Sequence, residues 1–511
     1  MIHSQNLRST FSGPLLQKDQ SLPQGSSSIS MGKSRFKSKM IYDMHVSEYA
    51  LNQQIIKKKE ALKWKWKLGT FLRRPDLLIR AMKSEKKLQI FELECRKDLQ
   101  ISKKDLHSIA QIWKGLPCLK SLSFSFEDVE IAERGLYQLF RRLKSLVHLQ
   151  RLRFLFRSYS ITDQTLSCLS RNTRKLSSIQ DLEWSFVDSP RITDAGLNDI
   201  SLCVKSLRRL KKLKLNCIGC SRITDRGLEK VKEGLKSLHC LESLRLDIGS
   251  LPHITDSGIQ SIRESLKDLI HIKSLQLGCF YCPRITDGGL LTLGGSLNGL
   301  RTLQNLALDF GQCSQITDRG VDDLTKNLKE LGFLQRLLLG FSDCVQISNV
   351  GLECLGRNLK DLVRLQEFTL EFWGTFQQKT GITDTGLDAL SKNLKEIASI
   401  QNLSLIFSYN QQITDSGLEH LAQNLKGFAS LREITLDFGS CPKISIFGRN
   451  QILEVLKNHA TLQKRRVHVD WRPRMKKKRS YIEPLMFAFV GVLVAWFIFD
   501  ALPGFIKNLA E

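Results

Sequence analysis

The chain has 511 residues, of which 42% are hydrophobic and 25% charged, and its formal net charge is +26. This length ordinarily implies roughly three or four domains, unless an internal repeat makes most of the chain a single body. Thirteen cysteines, in a chain whose start lacks the apolar run of a secretory signal, predict reduced thiols in the cytosol or nucleus. They argue against a secreted, disulfide-linked protein.

The positive charge is concentrated in two flanks. Residues 1–87 carry 18 basic and 6 acidic side chains, and residues 464–481 carry 9 and 1, so the flanks hold +20 of the net charge. The 376 residues between 88 and 463 hold only +8. A nucleic-acid binder that uses these lysine-rich flanks is therefore one alternative for the function.

The N-terminal flank has two parts. Residues 1–50 are rich in Ser, Gln and Lys, which predicts a disordered basic segment. Residues 51–87 are basic and aromatic, with the string LKWKWKL at 62–68. The sequence allows either a helix that caps the repeats that follow or a basic surface for anionic membrane or RNA. The cap is favoured because a repeat array needs an end.

Residues 88–463 contain a repeat in which isoleucine precedes a version of T-D-x-G-L. Successive copies are 30 or 31 residues apart, except for one step of 35 residues. A fixed period of this size is typical of a solenoid, which stacks like units and offers one long binding surface. The twelve anchors are Ile101, Ile131, Ile161, Ile192, Ile223, Ile254, Ile285, Ile316, Ile347, Ile382, Ile413 and Ile444.

One unit, residues 303–334, has a different apolar period in each half. Leu306, Leu308 and Phe310 alternate as in a half-buried strand, and the apolar residues after the turn have helical spacing. The strand template recurs thirteen times, which predicts an α/β solenoid with parallel strands on a concave face and helices on a convex face. The strand templates start at Leu88, Leu119, Leu149, Ile179, Leu210, Leu241, Ile272, Leu303, Leu334, Leu365, Ile400, Leu431 and Leu462.

The turn between the two halves predicts a particular helix start. Thr317 is placed to cap the helix, and Asp318 falls in the first turn, where a carboxylate meets free amides and the positive end of the helix dipole. Glycine normally destabilises a helix at such a position. Gly320 therefore predicts a close approach between this helix and the neighbouring repeat.

The pattern L-x-x-L-x-L, followed by cysteine, I-T-D-x-G-L and a helix, resembles leucine-rich repeats of the cysteine-containing and ribonuclease-inhibitor-like types. The resemblance covers residues 88–463 and implies a horseshoe fold. It differs in having a few extra residues between the strand and the I-T-D turn. The family includes inhibitors, GTPase regulators and substrate receptors of ubiquitin ligases, so the resemblance leaves the activity open.

Two kinds of motif suggest chemistry, but the repeat explains both. Cys217 and Cys220, with Cys279 and Cys282, have the spacing of a four-thiolate zinc site. Each cysteine nevertheless occupies a fixed column of the repeat, which predicts small buried hydrophobic residues instead. The string D-F-G at 309–311 and 437–439 matches the metal-binding tripeptide of kinases, but both copies occupy the same strand column of the repeat. The sequence therefore predicts no enzyme, no metal site and no cofactor.

The strand positions that alternate with the core define a predicted partner-binding face with two signs of charge. Nucleic acid would require a continuous basic track with stacking aromatics, so the face disfavours nucleic acid and predicts a protein partner of mixed charge. The alternative is that the charges only solvate the face. The basic members are Arg151, Arg153, Lys212, Lys214 and Arg245, and the acidic members are Asp247, Asp309, Glu371 and Asp437.

The 35-residue step places four extra residues within 372–379. An insertion in a solenoid becomes a loop at its rim, where exposed Trp373 and Phe376 are predicted partner anchors. The alternative is a bulge whose aromatic side chains fold back onto the neighbouring turn.

The C-terminus resembles that of a tail-anchored membrane protein. Residues 484–506 are almost entirely apolar, and the 22 residues from Leu485 to Ile506 would form a helix of ~33 Å, long enough to cross a bilayer. A cap helix would need a polar face, which this segment lacks. Its apolar members are Leu485, Phe487, Phe489, Val492, Leu493, Val494, Trp496, Phe497, Ile498 and Phe499.

A basic linker, residues 464–483, precedes this span, and a short tail, residues 507–511, follows it. Positive residues beside a membrane span stay on the cytosolic side, which predicts a single-pass protein of an intracellular membrane with its repeats in the cytosol. The basic residues next to the span are Arg472, Arg474, Lys476, Lys477, Lys478 and Arg479.

Together these patterns predict a non-enzymatic scaffold for protein–protein interaction, tethered to an intracellular membrane. One alternative is the substrate-recognition subunit of a ubiquitin ligase. It would require an adaptor-binding module upstream of the repeats, and residues 51–87 show none. The other alternative is the nucleic-acid binder with lysine-rich flanks.

Overall fold

The computed structural model describes residues 41–44, 51–58, 61–68, 88–95, 100–113, 116–127, 130–375 and 380–469. The prediction of an α/β repeat fold is confirmed. Between Leu88 and His468, thirteen parallel strands of one sheet alternate with helices in a repeating solenoid. The finer assignment to leucine-rich repeats stays a resemblance.

The strands follow the predicted templates. The main sheet has the order β1-β2-β3-β4-β6 and then β8 to β18 in sequence, while β5 and β7 form a separate two-stranded sheet. The strands are β1 (Ile41–Met44), β2 (Leu51–Lys58), β3 (Ala61–Leu68), β4 (Leu88–Cys95), β5 (Gln100–Ile101), β6 (Ser121–Glu127), β7 (Glu130–Ile131), β8 (Arg151–Arg157), β9 (Asp181–Val187), β10 (Lys212–Asn216), β11 (Ser243–Asp247), β12 (Ser274–Gly278), β13 (Asn305–Asp309), β14 (Arg336–Gly340), β15 (Glu367–Glu371), β16 (Asn402–Ile406), β17 (Glu433–Asp437) and β18 (Lys464–His468).

The helices connect successive strands of the solenoid. In most units the helix has eleven residues, but α8 is shorter and a 3-10 turn at Leu328–Glu330 follows it. The helices are α1 (Lys103–Trp113), α2 (Glu133–Leu143), α3 (Asp163–Thr173), α4 (Asp194–Val204), α5 (Asp225–Leu235), α6 (Asp256–Leu266), α7 (Asp287–Leu297), α8 (Asp318–Thr325), α9 (Asn349–Leu359), α10 (Asp384–Leu394), α11 (Asp415–Leu425) and α12 (Ile446–Lys457).

The core lies between the sheet and the helices, as the apolar periods predict. Leu306, Leu308 and Phe310 are buried on one side of their strand, and Val321 and Leu324 of α8 are buried as well. The phenylalanine column continues through the C-terminal repeats, with ring centroids 5.7 to 6.3 Å apart. Its members there are Phe310, Phe341, Phe372, Phe407 and Phe438.

The N-terminal end of the sheet differs from the predicted cap helix. Residues 51–58 and 61–68 form two antiparallel strands, and the second of them pairs in parallel with β4. The helix interpretation is therefore wrong for these residues, because their backbone extends the sheet. A further strand, Ile41–Met44, lies within residues 1–50, for which the sequence predicts disorder.

Aspartates of the I-T-D turns join each repeat to the next. Asp318 accepts hydrogen bonds from the backbone N–H of Ser348 at 2.7 Å, from its hydroxyl at 2.7 Å, and from the N–H of Gly351 at 2.9 Å. Asp318 lies in the first turn of its own helix after the cap Thr317, as predicted, but the hydrogen bonds of its carboxylate go to the start of the next helix. Further pairs of the same kind are Asp163–Thr193, Asp194–Thr224, Asp225–Thr255, Asp256–Thr286, Asp287–Thr317, Asp384–Thr414 and Asp415–Ser445.

The cysteine columns are part of the core, as predicted. Cys220, Cys282 and Cys344 are buried, and each thiol donates to a backbone carbonyl 34 residues upstream at 3.0 to 3.4 Å. Burial raises the pKa of each of these thiols to about 12. Buried thiols of this kind pack as small hydrophobic residues. Among the described residues, no three His, Cys, Asp or Glu side chains are grouped to hold a metal ion.

The predicted membrane span at 484–506, its basic flank at 472–479 and the anchor Phe376 lie outside the described residues. Of the helices that are described, none is both long enough and apolar enough to cross a bilayer. The tether therefore stays a prediction.

Candidate binding cleft on the open face of the sheet

The sheet has one face covered by helices and one face, here called the open face, that carries the alternate residues of each strand. This is the face predicted to be concave. Register pairing places all nine charged residues of the predicted binding face on alternate strand positions between buried core residues. Their placement agrees with the sequence analysis, and their role in binding stays a prediction.

The basic part of the open face is less basic than the sequence suggested. Pairing places Asp181 beside Arg151 and Lys212, and Glu183 beside Arg153. The Arg153 guanidinium donates to a Glu183 carboxylate oxygen at 2.5 Å. Burial raises the pKa of Asp181, and Arg153 and Lys212 oppose that increase. The sequence analysis missed both acids, although they occupy the same strand columns as the bases.

Arg245 and Asp247 form an internal pair at the centre of the face. Nε of Arg245 donates to Oδ2 of Asp247 at 2.7 Å, and Nη1 donates to Oε1 of Gln276 at 3.2 Å. Only 9% of Arg245 and 5% of Asp247 are exposed. Because each neutralises the other, neither is placed to attract a charged partner on its own.

Beyond this pair, acids and glycines alternate across neighbouring strands. Asp247 pairs with Gly278, Gly278 with Asp309, Asp309 with Gly340, and Gly340 with Glu371. Acids two strands apart are about 10 Å from each other along the sheet. The glycines leave room for the carboxylates, since a Cβ at Gly340 would lie 2.8 Å from Oδ1 of Asp309.

Asp309 and Glu371 line a small cleft with a volume of about 10 Å³, here called the acidic cleft. Trp373 follows β15 and is half-buried at one side of the cleft, and Phe280 follows β12 at the other side, where it is buried against Val187 and Ile218. The other lining residues lie on β13, β14 and β15 or directly after them. The full lining is Phe280, Asp309, Gly311, Gln312, Ser342, Glu371 and Trp373.

Two polar atoms of the acidic cleft lack hydrogen-bond partners. Glu371 is 4% exposed and Ser342 is 2% exposed, yet Oε1 of Glu371 and Oγ of Ser342 have no partner. Oδ1 of Asp309 accepts one hydrogen bond, from the N–H of Gly311 at 3.0 Å. Unpaired buried polar groups are rare and costly, typically ~1–3 kcal/mol each, so this arrangement requires an explanation.

The ionised forms of the two carboxyl groups in the acidic cleft are also electrostatically unfavourable. Burial, and secondarily the charge of Asp309, raise the pKa of Glu371 to about 8. Burial also raises the pKa of Asp309 to about 6, although its hydrogen bond from Gly311 opposes the increase. The cleft is therefore short of positive charge, and a bound cation would stabilise both carboxylates.

The fourth acid, Asp437, lies in a different environment. Its Oδ1 accepts from the N–H of Gly439 at 2.9 Å and from the hydroxyl of Ser408 at 2.7 Å, and lies 2.9 Å from Nδ1 of His468. These contacts satisfy the carboxylate. Asp437 is consequently not part of the acidic cleft, although it shares a strand column with Glu371.

The insertion after β15 behaves partly as predicted. Trp373 is half-buried rather than exposed, and its carbonyl accepts from the N–H of Asp343 at 2.9 Å. Phe372 occupies the regular phenylalanine column of the repeat, and the choice between an exposed loop and a bulge stays open because Phe376 lies outside the described residues. Phe280 and Ser342, which the sequence analysis missed, occupy the repeat column of Trp373. That shared column is the signal that could have identified them.

A larger cleft lies between α11 and α12 on the helical side, around Gln423, Lys426, Glu454 and His459. None of its described side chains has a buried polar atom without a partner. The acidic cleft is therefore the stronger candidate site.

Comparison with models of known protein families finds no match to this chain, and none of the curated proteins searched matches it significantly. The assignment of a function consequently depends on the geometry of the open face.

Proposed function

We propose that this protein is a non-enzymatic scaffold that binds a protein partner on the open face of its repeat sheet. We further propose that residues 484–506 tether it to an intracellular membrane, with the repeats on the cytosolic side. Repeat folds offer extended binding surfaces of this kind. The observation that carries the proposal is the buried carboxylate of Glu371, which has an oxygen without a partner on that face. A basic group of a partner would supply the missing contact.

The same residues bear on the alternative functions. Between β11 and β15 the open face carries acids and glycines instead of the continuous basic track that nucleic acid requires, so it is unfavourable for nucleic acid. The lysine-rich flanks lie mostly outside the described residues, and binding of RNA there stays a separate hypothesis. No feature of the described residues favours the ubiquitin-ligase alternative.

Cross-linking capture in cells tests the scaffold role. The full-length chain is compared with the double variant Asp309→Asn/Glu371→Gln and with a control, Glu229→Gln/Glu353→Gln, which removes two exposed helix charges. Proteins captured by the wild type and the control should be lost from the open-face variant. If all three chains capture the same proteins in equal amounts, the open face is not the binding surface.

Alkaline carbonate extraction tests the tether. The full-length chain should remain in the membrane pellet, and a chain lacking residues 484–511 should become soluble. A full-length chain that is extracted as completely as the truncated chain would contradict the tether and leave the proposed binding face unaffected.

A further inference from the structure

We propose that the acidic cleft binds the primary ammonium group of a lysine side chain, presented by a basic segment of the protein partner. This inference rests on the proposed scaffold function, because it names the chemistry by which the open face recognises its partner.

The first argument is charge. Asp309 and Glu371 bring two carboxyl groups to the acidic cleft, and none of the seven residues that line it is cationic. The neighbouring cation on the face, Arg245, is already held by Asp247 and Gln276. A positive group from outside would therefore favour ionisation of both carboxyl groups and pair with the charge that they then carry, in a site shielded from water, where electrostatic attraction is strong.

The second argument is the number of acceptors. A lysine ammonium has three N–H donors and no acceptor. The acidic cleft offers Oε1 of Glu371 and Oγ of Ser342, both without partners, together with the carboxylate of Asp309. Three donors thus meet three acceptor groups. One ammonium would satisfy both of the unpaired atoms that line the acidic cleft.

The third argument is size and shape. The acidic cleft has room for a single group about as large as a water molecule, which matches an ammonium. A guanidinium is larger and planar, with five donors in a rigid fork, and it does not fit this space. Trp373 is half-buried at one side of the acidic cleft, where its ring can pack against the methylene groups of a lysine and attract its charge.

A metal ion fits these residues less well. Hard divalent cations take roughly six to eight oxygen ligands, commonly several carboxylates. The acidic cleft supplies two acids, and two of its walls are aromatic. Among the described residues no group of three acids, histidines or cysteines is arranged for a metal. An organic cation accounts for the aromatic walls, whereas a metal ion does not.

Fluorine NMR tests the inference on the full-length chain, held in detergent micelles and labelled with 5-fluorotryptophan. The Trp373 resonance is assigned with the variant Trp373→Phe. A blocked peptide of alternating lysine and serine should shift this resonance saturably. The same peptide with arginine should need at least a tenfold higher concentration, and the peptide with ε-N-acetyl-lysine should cause no shift.

Glu371→Gln should raise the midpoint for the lysine peptide tenfold or more. The control, Glu396→Gln, removes one exposed charge away from the acidic cleft and should leave the midpoint unchanged. Thermal unfolding of each variant verifies that it is folded.

Equal midpoints for lysine and arginine peptides would overturn the inference, as would a shift caused by calcium chloride without any response to lysine. If lysine peptides fail while cross-linking still depends on Asp309 and Glu371, the ammonium site is wrong and the scaffold function stands. If cross-linking is insensitive to both acids, the scaffold function itself fails, whatever the peptides do.

Discussion

The carboxylate of Asp287 accepts two hydrogen bonds from Thr317, one from its backbone N–H at 2.8 Å and one from its hydroxyl at 2.6 Å. Thr317 in turn accepts at its hydroxyl from the N–H of Arg319 at 3.2 Å, which caps its own helix. One carboxylate therefore fixes the start of the next helix, and repetition of this contact holds successive units at a constant spacing. Its geometry leads to two predictions about stability.

Gly320→Ala should destabilise the array by ~1–3 kcal/mol, because the new methyl would lie less than 3.0 Å from Oδ1 of Asp287 and force the two repeats apart. Gly295→Ala is the matched control: it lies within α7, nothing is within 4 Å of its added Cβ, and it should stabilise slightly. Urea unfolding followed by circular dichroism compares the midpoints. Equal effects of the two substitutions would contradict the close approach.

Asp287→Ala should cost ~1–3 kcal/mol, because the N–H and hydroxyl of Thr317 lose their acceptor. Asp287→Asn should cost less. The protein already contains an asparagine at this column, where Asn349 accepts from the N–H of Thr383 at 2.8 Å and donates to its hydroxyl at 2.9 Å. Urea midpoints decide the order, and an asparagine variant as unstable as the alanine variant would contradict the role of the amide oxygen.

Cysteine alkylation should separate the core thiols from the surface thiols. Cys118 and Cys240 are exposed, whereas Cys344 and Cys441 are buried, and burial raises the pKa of each of these two buried thiols to about 12. Since the thiolate is the nucleophile, iodoacetamide at pH 8 should label the exposed pair first. Mass spectrometry before and after unfolding measures the labelling. Early modification of Cys344 in the folded protein would contradict its place in the core.

The solenoid could be predicted in detail because its strands and helices repeat local patterns. Thirteen copies of one alternation determine which side of each strand faces the core, so the positions of Asp309 and Glu371 follow from counting. Whether those two carboxyl groups have hydrogen-bond partners does not follow from counting. Whether a carboxylate finds a partner depends on the side chains that pack beside it: Asp247 has Arg245 of its own strand, Asp437 has Ser408 of the preceding repeat, and Glu371 faces Gly340 across the register.

The carboxylate contact between neighbouring repeats could not be predicted for a similar reason. The sequence places Asp318 in the first turn of a helix, where a contact with amides of the same helix is the simplest interpretation. The amides it binds belong to Ser348 and Gly351, about thirty residues later. A helix start can therefore be read from local sequence, but the identity of a long-range acceptor requires the packing of the units.

Glu371→Gln should stabilise the protein at alkaline pH and change its pH dependence. The pKa of Glu371 is about 8 in the folded state against an ordinary value of 4.5, so the folded state binds more protons than the unfolded state between these values. Its contribution to stability is therefore favourable at low pH and is lost as pH rises towards about 8. Glutamine carries no charge at any pH, and at pH 9 the gain should be on the order of 1–3 kcal/mol.

Urea midpoints at pH 5, 7 and 9 measure this change, with Glu396→Gln as the control that removes an exposed charge. The two midpoint curves of wild type and Glu371→Gln should lie close together at pH 5 and separate as pH rises. Addition of the lysine peptide at pH 9 should stabilise the wild type more than the variant, because the bound ammonium favours the ionised carboxylate. A constant difference between wild type and variant at all three pH values would show that the Glu371 carboxyl is not strained by burial.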